Sequence, residues 1–236
     1  MVTKAALALS DKLGKRCETA VAEVDFKYST NVDLLTQVSF PEADWTKIEL
    51  ANNEPLCILE QMPRYYDLTE VQSIHNPESL NVKRETCFEE LLLNQSGSKS
   101  MIEVSRRLVH LLRTQPTWIP SYYAGYYWRT TGDAKQTITC FMHSLSVAAP
   151  EHHPVVVAAL SDFLATSGHL SDSLVMGRHL PELAPSPSNY YLIGDMFGAN
   201  NQFITAADHY ISATMDGDYK EARLKMKAAV CRHIAD

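Results

Sequence analysis

The chain has 236 residues, with 21 Lys and Arg against 28 Asp and Glu for a formal charge of -7, 45% hydrophobic residues, 9 Gly and 11 Pro. That length suffices for one ordinary core or two small ones, and the composition excludes collagen-like, coiled-coil and wholly disordered classes. The negative balance argues against a nucleic-acid partner, because releasing counterions from phosphates needs a strong positive field.

No run approaches the ~18 consecutive apolar residues that span a bilayer, so no transmembrane segment is expected. The opening MVTKAALALSDKLGKR holds an apolar run too short for a signal-peptide core, interrupted at once by Asp11, and predicts a short amphipathic helix. Five cysteines, Cys17, Cys57, Cys87, Cys140 and Cys231, show no CxxC spacing and are too dilute for a disulfide scaffold. Reduced, buried thiols are expected, and an odd count leaves one unpaired even in an oxidising compartment. The sequon Asn94-Gln95-Ser96 keeps a secretory lumen open as an alternative to the cytoplasm.

Residues 1–99 show no single period. Val24, Phe26 and Tyr28 alternate with Asp25, Lys27 and Ser29, which predicts a strand with one buried face. Pro41, Pro55, Pro63 and Pro77 then cut the chain into pieces too short for long helices. The run CFEELLL over 87–93 predicts two helical turns, and the polar NQSGSKS after it reads as a linker. A domain boundary is placed there, with an irregular segment over 1–99 and a helical domain over 100–236.

From Ser100 onward the pattern is helical. Ser100 and Glu103 form a capping-box pair before a helix that ends near Thr114, ahead of Pro116. Three helix-turn-helix units follow, near 118–150, 154–185 and 187–218. Starting at Trp118, Pro154 and Pro187, they recur at about the 34-residue tetratricopeptide period. Gly125, Gly132 and Phe141 in the first unit, and Gly194, Ala206 and Tyr210 in the third, supply the small, turn and large residues that closely packed helix pairs require. Residues 220–235 predict a capping helix. The fold expected is a mostly α tetratricopeptide-type superhelix with a cap and an N-terminal segment containing short strands; unrelated helices of an ordinary bundle are the plainer alternative.

The segment PTWIPSYYAGYYWRTTGDAKQTITCFMHSLSVAAP resembles the conserved block of the tetratricopeptide-repeat protein seventeen family. The features that carry the resemblance are Trp118, the triplet Tyr127-Trp128-Arg129, Cys140 and the closing Ala149-Pro150. The likeness continues upstream through Glu54-Pro55-Leu56-Cys57 and downstream through Ile193-Gly194-Asp195 and Cys231. It covers residue 50 to the end and corresponds to the C-terminal part of the larger family protein; the first fifty residues match poorly, and Ser144 and Ser173 stand where Ala is usual. The resemblance implies roles in actin polymerisation and cilium assembly, and a cytoplasmic, cytoskeleton-associated location.

Residue clusters with catalytic chemistry are sparse. His152 and His153 beside Glu151 lie on a Pro-flanked loop with no partner at metal-site spacing, and read as solvated. Cys140 and His143 share a helical face, but Cys140 falls in the apolar stripe and reads as a structural thiol. No phosphate-cradling loop or nucleophile elbow occurs, so no enzyme activity, cofactor or metal is expected.

Recognition of a protein or peptide segment is therefore the expected function. The concave groove of such a repeat selects Tyr122, Tyr126, Arg129, Asp162, Tyr191 and Asp195, a set rich in anchor residue types, although the tyrosines equally suit core packing against Trp118 or Trp128 because adjacent ones cannot all face one way. In the alternative reading the groove is covered by the chain's own N-terminal segment, for instance residues 44–59. Basic residues on the helix before the repeats (Arg106, Arg107, Arg113) and on the last helix (Lys220, Arg223, Lys225, Lys227, Arg232) are either solvated faces or faces for an acidic partner. Actin is the partner the resemblance implies for Arg106, Arg107, Arg223 and Lys227.

Overall fold

The computed structural model describes residues 17, 21–48, 51–63, 68–215 and 219–235. The amphipathic helix expected over the first sixteen residues lies outside them. The described residues contain helices, short turns and irregular segments but no strand, and none of their helices is long and apolar enough to cross a membrane.

The chain forms two compact units. One is Thr30–Met176; the other joins the described residues before Thr30 to those from Gly177 onward. In the first unit α1 (Asp33–Thr36) and α2 (Gln72–His75) are single turns within irregular chain. They are followed by α3 (Cys87–Ser96), α4 (Met101–Thr114), α5 (Trp118–Thr131), α6 (Ala134–Val147), α7 (His153–Thr166) and α8 (Leu170–Gly177). The second unit holds α9 (Leu180–Leu183), α10 (Pro187–Ala199), α11 (Phe203–Ala213) and α12 (Lys220–Ala235).

Local signals set the helix ends. The Ser100 hydroxyl accepts from the Glu103 amide at 3.3 Å, while the Glu103 carboxylate reaches back to the Lys99 amide at 2.8 Å, one residue earlier than in the usual box. Asp133 caps α6 through the Gln136 amide at 2.9 Å, and Gly132, at φ 81°, ends α5 in the left-handed conformation glycine adopts at little cost.

The run 94–100 is not an interdomain linker. Helix α3 continues to Ser96, Gly97 caps it at φ 64°, and the Ser98 amide bonds the Leu93 carbonyl at 3.0 Å before α4 starts in the same unit. The residues that read as flexible are those a tight helix-to-helix turn demands.

The repeat is visible in the packing. A Cβ on Gly125 would lie 2.6 Å from the Phe141 ring, and one on Gly194 would lie 2.7 Å from the Tyr210 ring. The same small-against-large contact thus closes α5 on α6 and α10 on α11, as expected of tetratricopeptide-type helical pairs. The middle pair is built differently. Ser161 holds the small slot and accepts from Ser173 Oγ through its carbonyl at 2.8 Å, while α8 has only eight residues and ends at Gly177, where the other pairs place Phe141 and Tyr210.

The expected strand over Val24–Tyr28 is replaced by irregular chain with a bend at Lys27, whose amide donates to Asp25 Oδ1 at 2.9 Å. Val24 is buried and Asp25, Lys27 and Ser29 are exposed, as the alternation required, but Phe26 packs edge-on against Phe203 of α11 at 5.2 Å. Period-two burial reports one covered face; the cover here is a helix.

The cysteines also depart from expectation. Cys57 is joined to Cys140 in the first unit and Cys17 to Cys231 in the second, with Cα separations of 5.1 and 5.3 Å. Cys87 is the free, exposed thiol. Pairing across 83 and 214 residues depends on tertiary approach and leaves no local spacing to read.

Candidate functional site

Helix α5 reads WIPSYYAGYYWRTT, with aromatic residues on more sides than one neighbouring helix could cover. Its Gly125 side is closed by α6. The irregular chain over the described residues 30–48 and 51–57 and helices α3 and α4 take the rest. Buried irregular backbone cannot satisfy its own N–H and C=O groups, so something must supply partners for them. The repeat helices do so with side chains.

Tyr122 donates to the Leu34 carbonyl at 2.6 Å, Tyr123 donates to the Val38 carbonyl, and Trp128 Nε1 donates to the Pro55 carbonyl at 3.0 Å. The Asn31 amide donates to Asp162 Oδ1 at 2.9 Å. Leu34 and Leu35 are completely enclosed, and Phe40 meets the Tyr123 ring edge-on at 4.8 Å. Burial pushes the Tyr122, Tyr123 and Tyr126 hydroxyls to higher pKa, so they stay neutral.

Arg129 is the polar centre of this site and is fully buried. Glu85 receives it with both oxygens, Nε to Oε1 and Nη2 to Oε2, each at 2.8 Å. Asp162 Oδ2 lies 2.8 Å from Nη2. The guanidinium carbon sits 4.6 Å from the Phe88 ring centre and 5.3 Å from that of Tyr126. Burial alone would lower the Arg129 pKa, but the Asp162 and then the Glu85 carboxylates outweigh it and drive it upward. Thr30 Oγ1 donates to Glu85 Oε2 at 2.7 Å, and the Glu85 amide donates to the Arg129 carbonyl at 3.0 Å.

Four of the expected groove residues, Tyr122, Tyr126, Arg129 and Asp162, are therefore brought together, and each is fully buried. What they meet is the chain's own residues 31 and 34, together with Glu85 and Phe88. The described residues of the segment 44–59 do not occupy that place. Its residues 52–57 run instead past Arg106, which donates to Asn52 Oδ1 at 2.7 Å, to Trp128 and the Cys57–Cys140 bridge. Glu85, Thr30 and Asn31 carry no local signature that would mark them in the sequence.

The other two expected groove residues lie in the second unit. Asp195 accepts from Tyr210 Oη at 2.7 Å and from Lys225 Nζ at 2.9 Å through each oxygen, and Lys225 lies 4.7 Å above the Tyr191 ring. Burial raises the Asp195 pKa above its ordinary value, against the opposing pull of Lys225 and Tyr210. Tyr191 also meets the Tyr219 ring at 5.0 Å.

The basic residues divide. Arg107 is buried, paired with Glu103 at 2.5 Å and laid over the Trp45 ring at 4.9 Å, so it presents no partner face. Lys225 is spent on Asp195. Lys220, Arg223 and Lys227 are exposed on α12. The two adjacent histidines point apart: the His152 ring lies 5.0 Å from that of Trp118, and His153 Nε2 meets the Ala148 carbonyl at 3.0 Å. His143 Nδ1 pairs with Ser121 Oγ at 2.7 Å rather than with Cys140. No group of three or more His, Cys, Asp and Glu is placed to hold a metal among the described residues.

Over 210 residues, 86% of the chain, the sequence is 25% identical to tetratricopeptide repeat protein 17 of Rattus norvegicus and 24% identical to that of Homo sapiens. The Danio rerio protein of the same name is 23% identical over 208 residues. The chain is related to tetratricopeptide repeat protein 17. It spans 17% of the length of the rat and zebrafish proteins and 18% of the human one. No family model and no solved structure matches it. The relationship to tetratricopeptide repeat protein 17 accords with the helical pairs described above.

Proposed function

We propose that the chain is a non-catalytic protein-interaction scaffold whose first helical pair is occupied by its own segment, and whose partners are met on exposed faces. The observation that carries this reading is the set of side-chain to backbone bonds from Tyr122, Tyr123 and Asp162 to residues 31–38. Helical repeats dock extended peptides by reading backbone groups in the same way.

A synthetic peptide of residues 30–41 tests it. The native chain is expected not to bind the peptide, whereas a Leu34→Asp, Leu35→Asp chain, whose own segment is expelled, is expected to bind it. Binding by the native chain would contradict an occupied groove.

The exposed side of α12, which carries Lys220, Arg223 and Lys227, is the surface we assign to an acidic protein partner. A role in actin polymerisation or cilium organisation, the expectation drawn from the resemblance, would use that surface. Sedimentation with filamentous actin at two salt concentrations tests it: salt-sensitive binding lost in Arg223→Glu, Lys227→Glu supports the role, and no binding removes it.

A second reading concerns location. Two disulfides using four of the five cysteines favour an oxidising compartment over the cytoplasm, where thiols are kept reduced. Thiol alkylation of the chain as isolated from cells, without reductant, is expected to label Cys87 alone. Labelling of all five would return the chain to a reducing compartment.

A further inference from the structure

We propose that Asn94 is an N-glycosylation site, modified before helix α3 forms. The proposal rests on the oxidising-compartment reading and adds to it a named residue and an order of events.

Asn94 lies in the last turn of α3 and is exposed, just before the Gly97 cap. A glycan on its side chain would project into solvent and displace nothing. Ser96, the hydroxyl residue of the sequon, is only 5% exposed. Its Oγ donates to the Leu92 carbonyl at 2.6 Å and lies 2.8 Å from Ser98 Oγ, while its carbonyl accepts from Arg107 Nη1. Residues two apart on a helix of 3.6 residues per turn point to nearly opposite sides. The folded helix thus offers the acceptor amide to solvent and hides the hydroxyl that must be recognised with it.

The chemistry needs both groups on one accessible, extended stretch. The Asn94 side-chain amide nitrogen attacks the anomeric carbon of an oligosaccharide carried on a polyisoprenyl diphosphate. The new C–N bond forms as the C–O bond to the diphosphate breaks; the amide loses a proton and the lipid diphosphate leaves with the bonding pair. Transfer must therefore come first. Once α3 and the Arg107 to Ser96 contact are made, the sequon is closed.

The test uses the full chain isolated from the cells that produce it, with cysteine pairing and Asn94 read from the same unreduced peptide map. Expected are the Cys57–Cys140 and Cys17–Cys231 linked peptides, and a mobility shift on N-glycosidase treatment that disappears in Asn94→Gln and Ser96→Ala but persists in Ser96→Thr. Disulfides with an unmodified Asn94 would overturn the site and leave the compartment reading standing, whereas free cysteines throughout would overturn both. For the order of events, folded chain made without glycan and offered to oligosaccharyltransferase with lipid-linked donor is expected to remain unmodified, while the reduced and unfolded chain accepts. Equal modification of both would overturn transfer before folding.

Discussion

The first helical pair, α5 with α6, and the last, α10 with α11, close on themselves in the same way yet are covered in opposite ways. Both seat a glycine against an aromatic ring. Over α5 lies irregular chain, whose backbone must be satisfied by Tyr122, Tyr123, Trp128 and Asp162; against α11 lies helix α12, whose backbone satisfies itself. The buried charges are mirror images, a cation held by two carboxylates in one unit and a carboxylate held by one lysine in the other. The comparison accounts for the unusual tyrosine content of α5: an irregular occupant requires hydrogen-bond donors that a helical cap does not.

Several substitutions would break or sharpen that contrast. The largest effect is expected from Arg129→Ala, which strands Glu85 and Asp162 in the interior. Removing one side of a buried ion pair costs about 3–5 kcal/mol, readable by denaturant unfolding at neutral pH. Lys225→Ala is expected to cost less, because Asp195 already has a raised pKa and can take up a proton. Equal losses would erase the distinction between the two centres.

Next is the pair Cys57→Ser, Cys140→Ser. It removes the link that ties residues 52–57 to α6 and is expected to lower stability by about 2–5 kcal/mol, with loosening concentrated in those residues. An unchanged midpoint would mean that the bridge adds nothing to the cover.

Gly125→Ala and Gly194→Ala are each expected to destabilise by about 1–3 kcal/mol through overpacking against Phe141 and Tyr210. Similar penalties would support the equivalence of the two pairs, and relief of the first by Phe141→Leu would locate the clash.

The smallest effect is a pH response. Burial holds the His143 and His209 pKa values below the ordinary one, so both favour the neutral ring in the folded chain. Their contribution is complete above the ordinary histidine value and is lost as pH falls from there through the depressed folded values. Thermal midpoints should therefore drop between about pH 7 and 5, and the slope should flatten in a His143→Gln, His209→Gln chain.

Much of the helical architecture was legible in the sequence. Ser100 and Glu103, Gly132 with Asp133, and the Gly125 and Gly194 slots act within one helix or one helix pair, so local pattern carries them. The contacts of residues 31–38 and Glu85 with the repeat helices were not legible, because Asn31 with Asp162 and Glu85 with Arg129 meet across long sequence separations with no periodic relation. Val24, Phe26 and Tyr28 show the limit from another side: alternation gave the buried face correctly and could not say that a helix would cover it. Arg107 looked like part of a basic stripe until Glu103 and Trp45 enclosed it.

The most direct measurement is native-state amide hydrogen exchange at Asn31 and Glu85, two amides outside any helix whose partners are Asp162 Oδ1 and the Arg129 carbonyl. An occupied groove predicts protection close to that of the α5 amides, lost together with them on global unfolding. Exchange at the rate of an unstructured chain, with α5 still protected, would contradict it.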